Sequence, residues 1–438
     1  VRVLLVSTYE MGRQPFGLAS PAAWLRAAGH QVTVADLACS RLPGPAVEQA
    51  DLIAFYLPMH TATRLSLRAI ERVQAANPWA HLCAYGLYAP LNAPMLRRLG
   101  VNSILGGEFE HGLAELASGN CATAPVSLER QRFLVPDRAG LPPLGAYARL
   151  VTADGPRCVG YTEASRGCKH LCRHCPVVPV YRGAFRVVQP EVVIEDIRRQ
   201  VAAGAQHITF GDPDFWNGPA HGMRIVEALH REWPSLTYDV TIKVEHLLDR
   251  RDLLPALRDT GCLFVTSAVE SLDDAVLEKL AKGHTRADFL EALRLAREAG
   301  VALAPTFLPF TPWTTLEGYR TFLRDLAELD LAADVAPIQL AIRLLIPEGS
   351  LLLDLPEIRG GIEPFDPRGL CYPWRHPDPR MDELCATLQS TIKREDRRKT
   401  PRIEVFRKIW DLAGAGEFPN VVLPDRATIP YLTEPWYC

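Results

Sequence analysis

Apolar and polar positions divide the chain into three stretches of different rhythm. From Val1 onward, short apolar runs alternate with segments of helical period. Val1–Ser7, Gln31–Ala35, Asp51–Leu57, His81–Tyr85 and Val101–Leu105 read as buried strands. Ser20–Ala28, Thr63–Ala76, Met95–Leu99 and Glu110–Ala117 read as the helices between them. This alternation predicts an α/β fold, with a Rossmann-like doubly wound parallel sheet over residues 1–124. Residues 125–157 carry Pro125, Pro136, Pro142 and Pro143 with little period and read as a linker.

The rhythm resets at Cys158. Strands are expected at Cys158–Ala164, His207–Phe210, Thr237–Val244, Cys262–Ala268, Val301–Leu308 and Ala336–Leu344. Helices are expected at Pro190–Ala203, Ala220–Glu232, Leu247–Asp259, Asp273–Ala281, Arg286–Ala299 and Thr315–Leu329. Six strands with helical crossovers make a partial (β/α)6 TIM-type barrel over 158–345, with its chemistry expected at the carboxyl ends of the strands. Residues 346–438 read as a small, mostly helical region, with helices at Met381–Lys393 and Phe406–Leu412 and a charged, solvated helix end over Ser390–Lys399.

Composition narrows the class. The chain has 438 residues, 48% of them hydrophobic, which suffices for two or three domains. A net charge of −3 gives no general pull toward nucleic acid or anionic membrane, and neither is expected as a partner. No run reaches the ~18 apolar residues of a membrane span, and no signal segment is visible. A cytoplasmic protein is expected, with numbering that begins just inside the natural chain. Eleven scattered cysteines do not read as a disulfide framework.

Three of those cysteines stand together in Ser165-Arg-Gly-Cys-Lys-His-Leu-Cys-Arg-His-Cys-Pro176. Cys168, Cys172 and Cys175 have C-x3-C-x2-C spacing, which points to metal rather than packing. A structural zinc site wants four closed ligands, so His170 or His174 would have to complete one. Three thiolates on a [4Fe–4S] cube instead leave one iron open to a substrate or cofactor.

Here the sequence resembles the radical S-adenosylmethionine (SAM) superfamily, whose defining motif has this spacing. The resemblance implies a [4Fe–4S] cluster on Cys168, Cys172 and Cys175, SAM on the fourth iron, and one-electron cleavage of a carbon–sulfur bond. His174 stands where that family usually has an aromatic residue, and stacking on adenine is implied for it. In Gly211-Asp-Pro-Asp-Phe-Trp216 the resemblance gives Asp212 or Asp214 the role of binding the SAM amino group. It implies Lys243, Glu245 and Glu270 as ribose contacts, since a carboxylate accepts two hydroxyl hydrogen bonds. Arg343 would pair with the SAM carboxylate. Each also has a plain structural reading: a turn for the aspartates, a helix cap for Glu270, an ion pair for Arg343.

The first domain resembles the cobalamin-binding domain that precedes many radical SAM domains, and Gly106-Gly-Glu-Phe-Glu110 strengthens that likeness. The family's D-x-H-x-x-G motif is absent; Ser7-Thr-Tyr-Glu-Met-Gly12 stands in its place. Either cobalamin binds without a protein ligand to cobalt, or the domain is a structural cap. Phe210–Asn217 and the ending Tyr431–Cys438 resemble radical SAM proteins with a CUAEP or CCAEP tail and those of arsinothricin biosynthesis. That likeness implies chemistry on a soft element, with Cys438 and Cys371 or Cys385 presenting the substrate. The plain reading is that these cysteines are small hydrophobes.

The expected function is therefore reductive SAM cleavage with transfer of an alkyl group, such as 3-amino-3-carboxypropyl, to a small molecule, an arsenical among the candidates. A one-electron donor such as flavodoxin or ferredoxin is implied. The rival enzyme reading is cobalamin-dependent radical methylation or rearrangement. A zinc-binding scaffold or regulator is the alternative from another class.

Overall fold

The computed structural model describes residues 1–120, 124–419 and 431–433. Its first sheet is built from β1 (Arg2–Ser7), β2 (Gln31–Asp36), β3 (Leu52–Tyr56), β4 (His81–Tyr85), β5 (Ser103–Gly107) and the short β6 (Val126–Ser127). The order is β2-β1-β3-β4-β5-β6 and every pairing is parallel. All five residues of β3 are buried, as both-sided cover demands. Helices α1 (Phe16–Ala27) and α6 (Glu110–Ala117) cover one face. Helices α2 (Gly44–Gln49), α3 (His60–Ala76), α4 (Tyr88–Leu91) and α5 (Ala93–Arg98) cover the other. Strand order reverses between β1 and β3, the point beyond which such sheets take ligands.

Helix α1 begins four residues earlier than the sequence reading placed it, and Pro21 lies inside it. Proline cannot donate to the carbonyl four residues back. That carbonyl, Gly17 O, instead accepts the Tyr85 hydroxyl at 2.8 Å, so the break is repaired from β4.

The second sheet is the half-barrel. Its parallel strands are β8 (Gly155–Thr162), β11 (His207–Phe210), β12 (Thr237–Thr241), β13 (Cys262–Glu270) and β14 (Ala302–Phe307), in that spatial order. The outer helices are α8 (Pro190–Ala202), α9 (Pro219–Glu232), α10 (Val244–Asp249), α11 (Leu254–Asp259), α12 (Asp274–Leu280), α13 (Arg286–Ala299) and α14 (Leu316–Glu328). Except for α12, whose Val276 and Leu280 join a separate cluster with Leu308, Leu344 and Ile346, their apolar faces form one core with the strands. Thr285 opens α13 with a capping box to Asp288, the local signal that fixes its start.

Two expectations need correction. Ala336–Leu344 is not a sixth strand: Pro337–Ala341 is a 3-10 helix, and only a single parallel bridge, Phe310 to Arg343, remains. Pro337 lacks the N–H that a ladder needs. The stretch read as linker is partly ordered into sheets. It holds β6 and β7 (Arg149–Thr152); β7 pairs antiparallel with β8, and β15 (Tyr431–Leu432) pairs antiparallel with β7.

A hairpin of β9 (Ser165–Gly167) and β10 (Phe185–Val187) encloses the cysteine loop and α7 (Val177–Tyr181). The last region contains α15 (Pro356–Gly361), α16 (Pro379–Arg397) and α17 (Arg402–Ala413). Within the stretch read as solvated, Glu395 is 2% exposed and pairs with Lys408 at 2.7 Å on α17.

Candidate active site

The cysteine loop is held at both ends and in the middle. Gly167 has φ 77°, and a Cβ there would strike Tyr181 and Ala184 O, so only glycine fits the first corner. The Lys169 N–H donates to Asn217 Oδ1 at 3.1 Å. The Arg173 N–H donates to Leu280 O at 2.9 Å, and its guanidinium to Glu278 O and Lys279 O at 3.1 and 2.9 Å. After the third cysteine, Val177, Val180 and Tyr181 pack into the core of the first sheet.

Cys168 and Cys172 are buried and Cys175 is half-buried. Burial raises the Cys168 thiol and pushes Cys175 up to about 12. Backbone N–H groups of His170 and Val177 act on Cys168 and Cys175 in the opposite sense. Lys243 Nζ lies 3.7 Å from Cys172 Sγ. Buried thiols with N–H donors and a lysine nearby suit a thiolate-bound iron–sulfur cluster, because the metal supplies the charge that burial withholds. Cys168, Cys172 and Cys175 are the residues that would hold it. Among the described residues, the three-ligand group whose donor atoms all lie within 4.8 Å is His170, Asp214 and His246, not the cysteines. A tetrahedral zinc would draw its thiolates to about 3.8 Å apart.

The strand ends bring charged side chains around this loop. Asp212, after β11, accepts the Ala164 N–H at 2.9 Å and the Ser165 hydroxyl at 2.5 Å. Burial raises its carboxyl to about 7, with those two donors pulling the other way. Asp214 is fully buried and Oδ1 accepts the Trp216 N–H at 3.1 Å. Lys243 precedes α10, pairs with Glu245 and donates to Lys282 O at 3.0 Å. Gly283, at φ 78°, makes room for the Glu245 carboxylate, which lies 2.2 Å from where a Cβ would stand.

Glu270 ends β13 at φ 70°, beside a register shift against β14. A non-glycine residue in the left-handed region costs about 1–3 kcal/mol and is held only by its surroundings. Here Oε1 lies 3.1 Å from His174 Nε2 and 3.5 Å from Lys282 Nζ. Burial opposes ionisation, but Lys282 and then His174 hold the carboxyl down at about 2. Arg343 donates to Asp382 and to Trp374 O, both at 2.6 Å, and its guanidinium lies 3.6 Å from the Trp374 ring centre. It is a satisfied ion pair at the cavity wall.

Residue reasoning missed one buried network. Arg166 pairs with Glu163 and Glu110 at 2.7 Å and with Glu108 at 3.6 Å. Phe109, Phe133 and Phe16 surround it at 4.8 to 5.6 Å from ring centre to guanidinium carbon. The network locks the first sheet to the strand that opens the cysteine loop. An arginine two positions before the first cysteine, matched to two glutamates after Gly107, was the available signal.

A cavity of about 670 Å³ lies between the two sheets' carboxyl edges and runs down the half-barrel. Met11, Arg13, Pro58, His60 and Tyr88 line it from the first sheet. His174, Cys175, Asp212, Thr266, Glu270 and Arg343 are among those lining it from the second. Asp214, Lys243 and Glu245 are not among the lining residues. Cys385 packs in the barrel core and Cys371 bridges Asp366; neither lines the cavity, and Cys438 lies outside the described residues.

Residues 162–323 match the radical SAM superfamily. This segment is a radical SAM domain. The domain begins at the last residue of β8 and spans the cysteine loop and the strand ends just described. The chain is 29% identical over 151 residues to the hopanoid C-3 methylase of Methylococcus capsulatus, covering 34% of this chain and 29% of that protein. It is 26% identical over 193 residues to the ribosomal protein uS12 methylthiotransferase RimO of Parabacteroides distasonis, covering 41% and 43%. The chain thus spans less than half the length of these curated relatives. In fold it resembles the cobalamin-dependent S-adenosylmethionine radical enzyme OxsB, with a TM-score of 0.70 at 16% identity over 90% of this chain and 66% of that one. It also resembles the radical SAM methyltransferase TsrM of Kitasatospora setae, with a TM-score of 0.64 at 17% identity over 83% and 78%. Both likenesses extend beyond the radical SAM domain into the first sheet. Among the described residues, no helix is long and apolar enough to cross a membrane.

Proposed function

We propose that the protein is a radical SAM transferase that moves a methyl-type alkyl group onto a small molecule held between its two sheets. The observation that carries this reading is the cavity, bounded by switch-point loops on one side and by the third cysteine, His174 and Glu270 on the other. The cluster, when bound, supplies the electron that breaks a carbon–sulfur bond of SAM. Cys168, Cys172 and Cys175 hold it. Glu270 offers a fixed, ionised acceptor for a ribose diol, and His174 stands beside it for the adenine. Asp212, whose carboxyl burial raises to about 7, faces the amino end. Arg343 is committed to Asp382, so its part is to shape the wall. Asp214, Lys243 and Glu245 act at one remove from SAM, positioning the loops. A ferredoxin- or flavodoxin-type protein is the fitting electron donor.

This reading puts a corrinoid on the first-sheet side of the cavity. It would supply methyl-transfer chemistry and lie against Met11, Pro58, Leu87 and Tyr88. His60 Nε2 is 2.6 Å from Gly369 O, so the imidazole there is already engaged. His60 is thus tied to the Gly369 backbone on this side of the cavity. The likeness to two cobalamin-type enzymes in fold, and to a methylase and a methylthiotransferase in sequence, supports this reading over aminocarboxypropyl transfer to an arsenical. Cys371 and Cys385 do not border the cavity as a thiolate clamp for a soft element would.

The test is anaerobic reconstitution with iron and sulfide, with and without hydroxocobalamin, followed by SAM and dithionite. S-Adenosylhomocysteine or 5′-deoxyadenosine by mass spectrometry is the expected product. Methylthioadenosine would move the assignment to aminocarboxypropyl transfer, with arsenite the next acceptor to try. A protein that takes up iron but leaves SAM intact would sink the enzyme reading and leave a scaffold.

A further inference from the structure

Two histidines, one inside the cysteine loop and neither lining the cavity, meet in an arrangement that the proposed reaction does not use. His170 lies between Cys168 and Cys172; His246 is the third residue of α10. Their Nε2 atoms are 3.3 Å apart. Two imidazole nitrogens across a tetrahedral zinc, each about 2.0–2.1 Å from the metal, stand about 3.3 Å from one another.

A carboxylate stands by the other nitrogen of each ring. His246 Nδ1 is 2.7 Å from Asp214 Oδ2, and His170 Nδ1 is 3.3 Å from Glu245 Oε2. A carboxylate behind an imidazole, as Glu245 stands behind His170, is the usual environment of a metal-binding histidine. Asp214 Oδ2 also lies 3.8 Å from His170 Nε2. Asp214 is fully buried, and Oδ2 has no hydrogen-bond partner, nor has His246 Nδ1; their close approach is not aligned as a hydrogen bond. A buried carboxylate oxygen left in this state is costly unless something else satisfies it. The donor atoms of His170, Asp214 and His246 all lie within 4.8 Å.

We propose that His170, Asp214 and His246 hold one divalent cation of the zinc type, with Glu245 orienting His170. Imidazole and carboxylate together suit zinc and its neighbours better than magnesium or calcium. The three ligands come from the segments that follow three neighbouring barrel strands, β8, β11 and β12, His246 from the first turn of α10. The cation therefore staples the cysteine loop to its neighbours, and a water fills the fourth position.

The test uses cluster-loaded protein equilibrated with Zn²⁺, passed over a chelating resin, and assayed for metals by mass spectrometry. About one zinc per chain beyond the iron is expected. His246→Gln, which lies off the cysteine loop, and Asp214→Asn, which keeps a cap for Trp216, should each lower zinc affinity at least 10-fold while iron content stays unchanged. Co²⁺ in place of Zn²⁺ should give visible d–d bands in the native protein that are missing in both variants. No zinc beyond the iron in the native protein would overturn the proposal and leave a plain imidazole–imidazole hydrogen bond. Zinc bound equally well by both variants would overturn it too, because the metal would then sit elsewhere. The iron count and SAM turnover report separately on the transferase reading.

Discussion

The carboxylate of Glu270 reaches His174, with Oε1 3.1 Å from Nε2, so the end of β13 is joined to the cysteine loop across the mouth of the half-barrel. The contact exists because Glu270 takes a left-handed backbone at φ 70°, which turns its side chain toward the loop. Replacing Glu270 with Gln keeps the shape and removes the charge. Hydrogen bonds to charged groups contribute about 1.5–3 kcal/mol. SAM binding to the cluster-loaded protein, measured by equilibrium dialysis, should weaken about 10- to 100-fold in the Gln variant with iron content preserved. Unchanged SAM affinity would remove Glu270 from the site.

Arg166 balances three glutamates with its side chain only 8% exposed. Removing one partner of a buried ion network costs about 3–5 kcal/mol, since the remaining charges lose their counterion. Arg166→Met should lower the unfolding free energy measured in urea by that amount. Adding Glu110→Gln to it should cost less than the sum of the two single changes. Additive losses would mean that the two side chains act independently.

The same network makes stability depend on pH. Burial, above all, lifts Glu108 from its ordinary value of 4.5 to about 7, against the pull of Arg166. The folded protein therefore holds this proton more tightly than the unfolded chain. The contribution is fully present below pH 4.5 and is lost as pH rises through 7. Burial raises Glu163 as well, in the same direction. Between pH 5 and pH 8 the native protein should lose stability relative to Glu108→Gln, on the order of 3 kcal/mol. Urea titrations of both proteins at the two pH values check this; parallel profiles would show that Glu108 titrates normally.

Tyr85 and Pro21 form a pair of a different kind. Tyr85→Phe leaves Gly17 O without a donor inside α1 and should cost about 1–3 kcal/mol. Pro21→Ala restores the missing N–H, so the same Tyr85→Phe change made in that background should cost less. Thermal unfolding of the four proteins gives the coupling; equal costs in both backgrounds would break the link between the two residues.

β1, β3 and β4 of the first sheet were legible because both faces are covered, so each reads as a nearly unbroken apolar run. The three cysteines were legible because their chemistry is local in sequence. What failed was local too. Pro21 masked the start of α1, since the tyrosine that repairs it is 64 positions away, as the sequence numbering shows. The alternation of Ile338, Leu340, Ile342 and Leu344 suggested a strand, but Pro337 starts a 3-10 turn instead. Arg343 looked free for SAM because Asp382, its partner, lies on a separate helix. His170 and His246 are 76 positions apart, and only the barrel brings their rings together.

The β9–β10 hairpin closes the cysteine loop at its two ends, and Arg173 ties its middle to the last turn of α12. These constraints are all made by protein groups. They set the path of the loop through backbone and arginine contacts, with no cysteine side chain among them. A change at one of the three thiols would therefore report on the cluster site rather than on the frame that carries it.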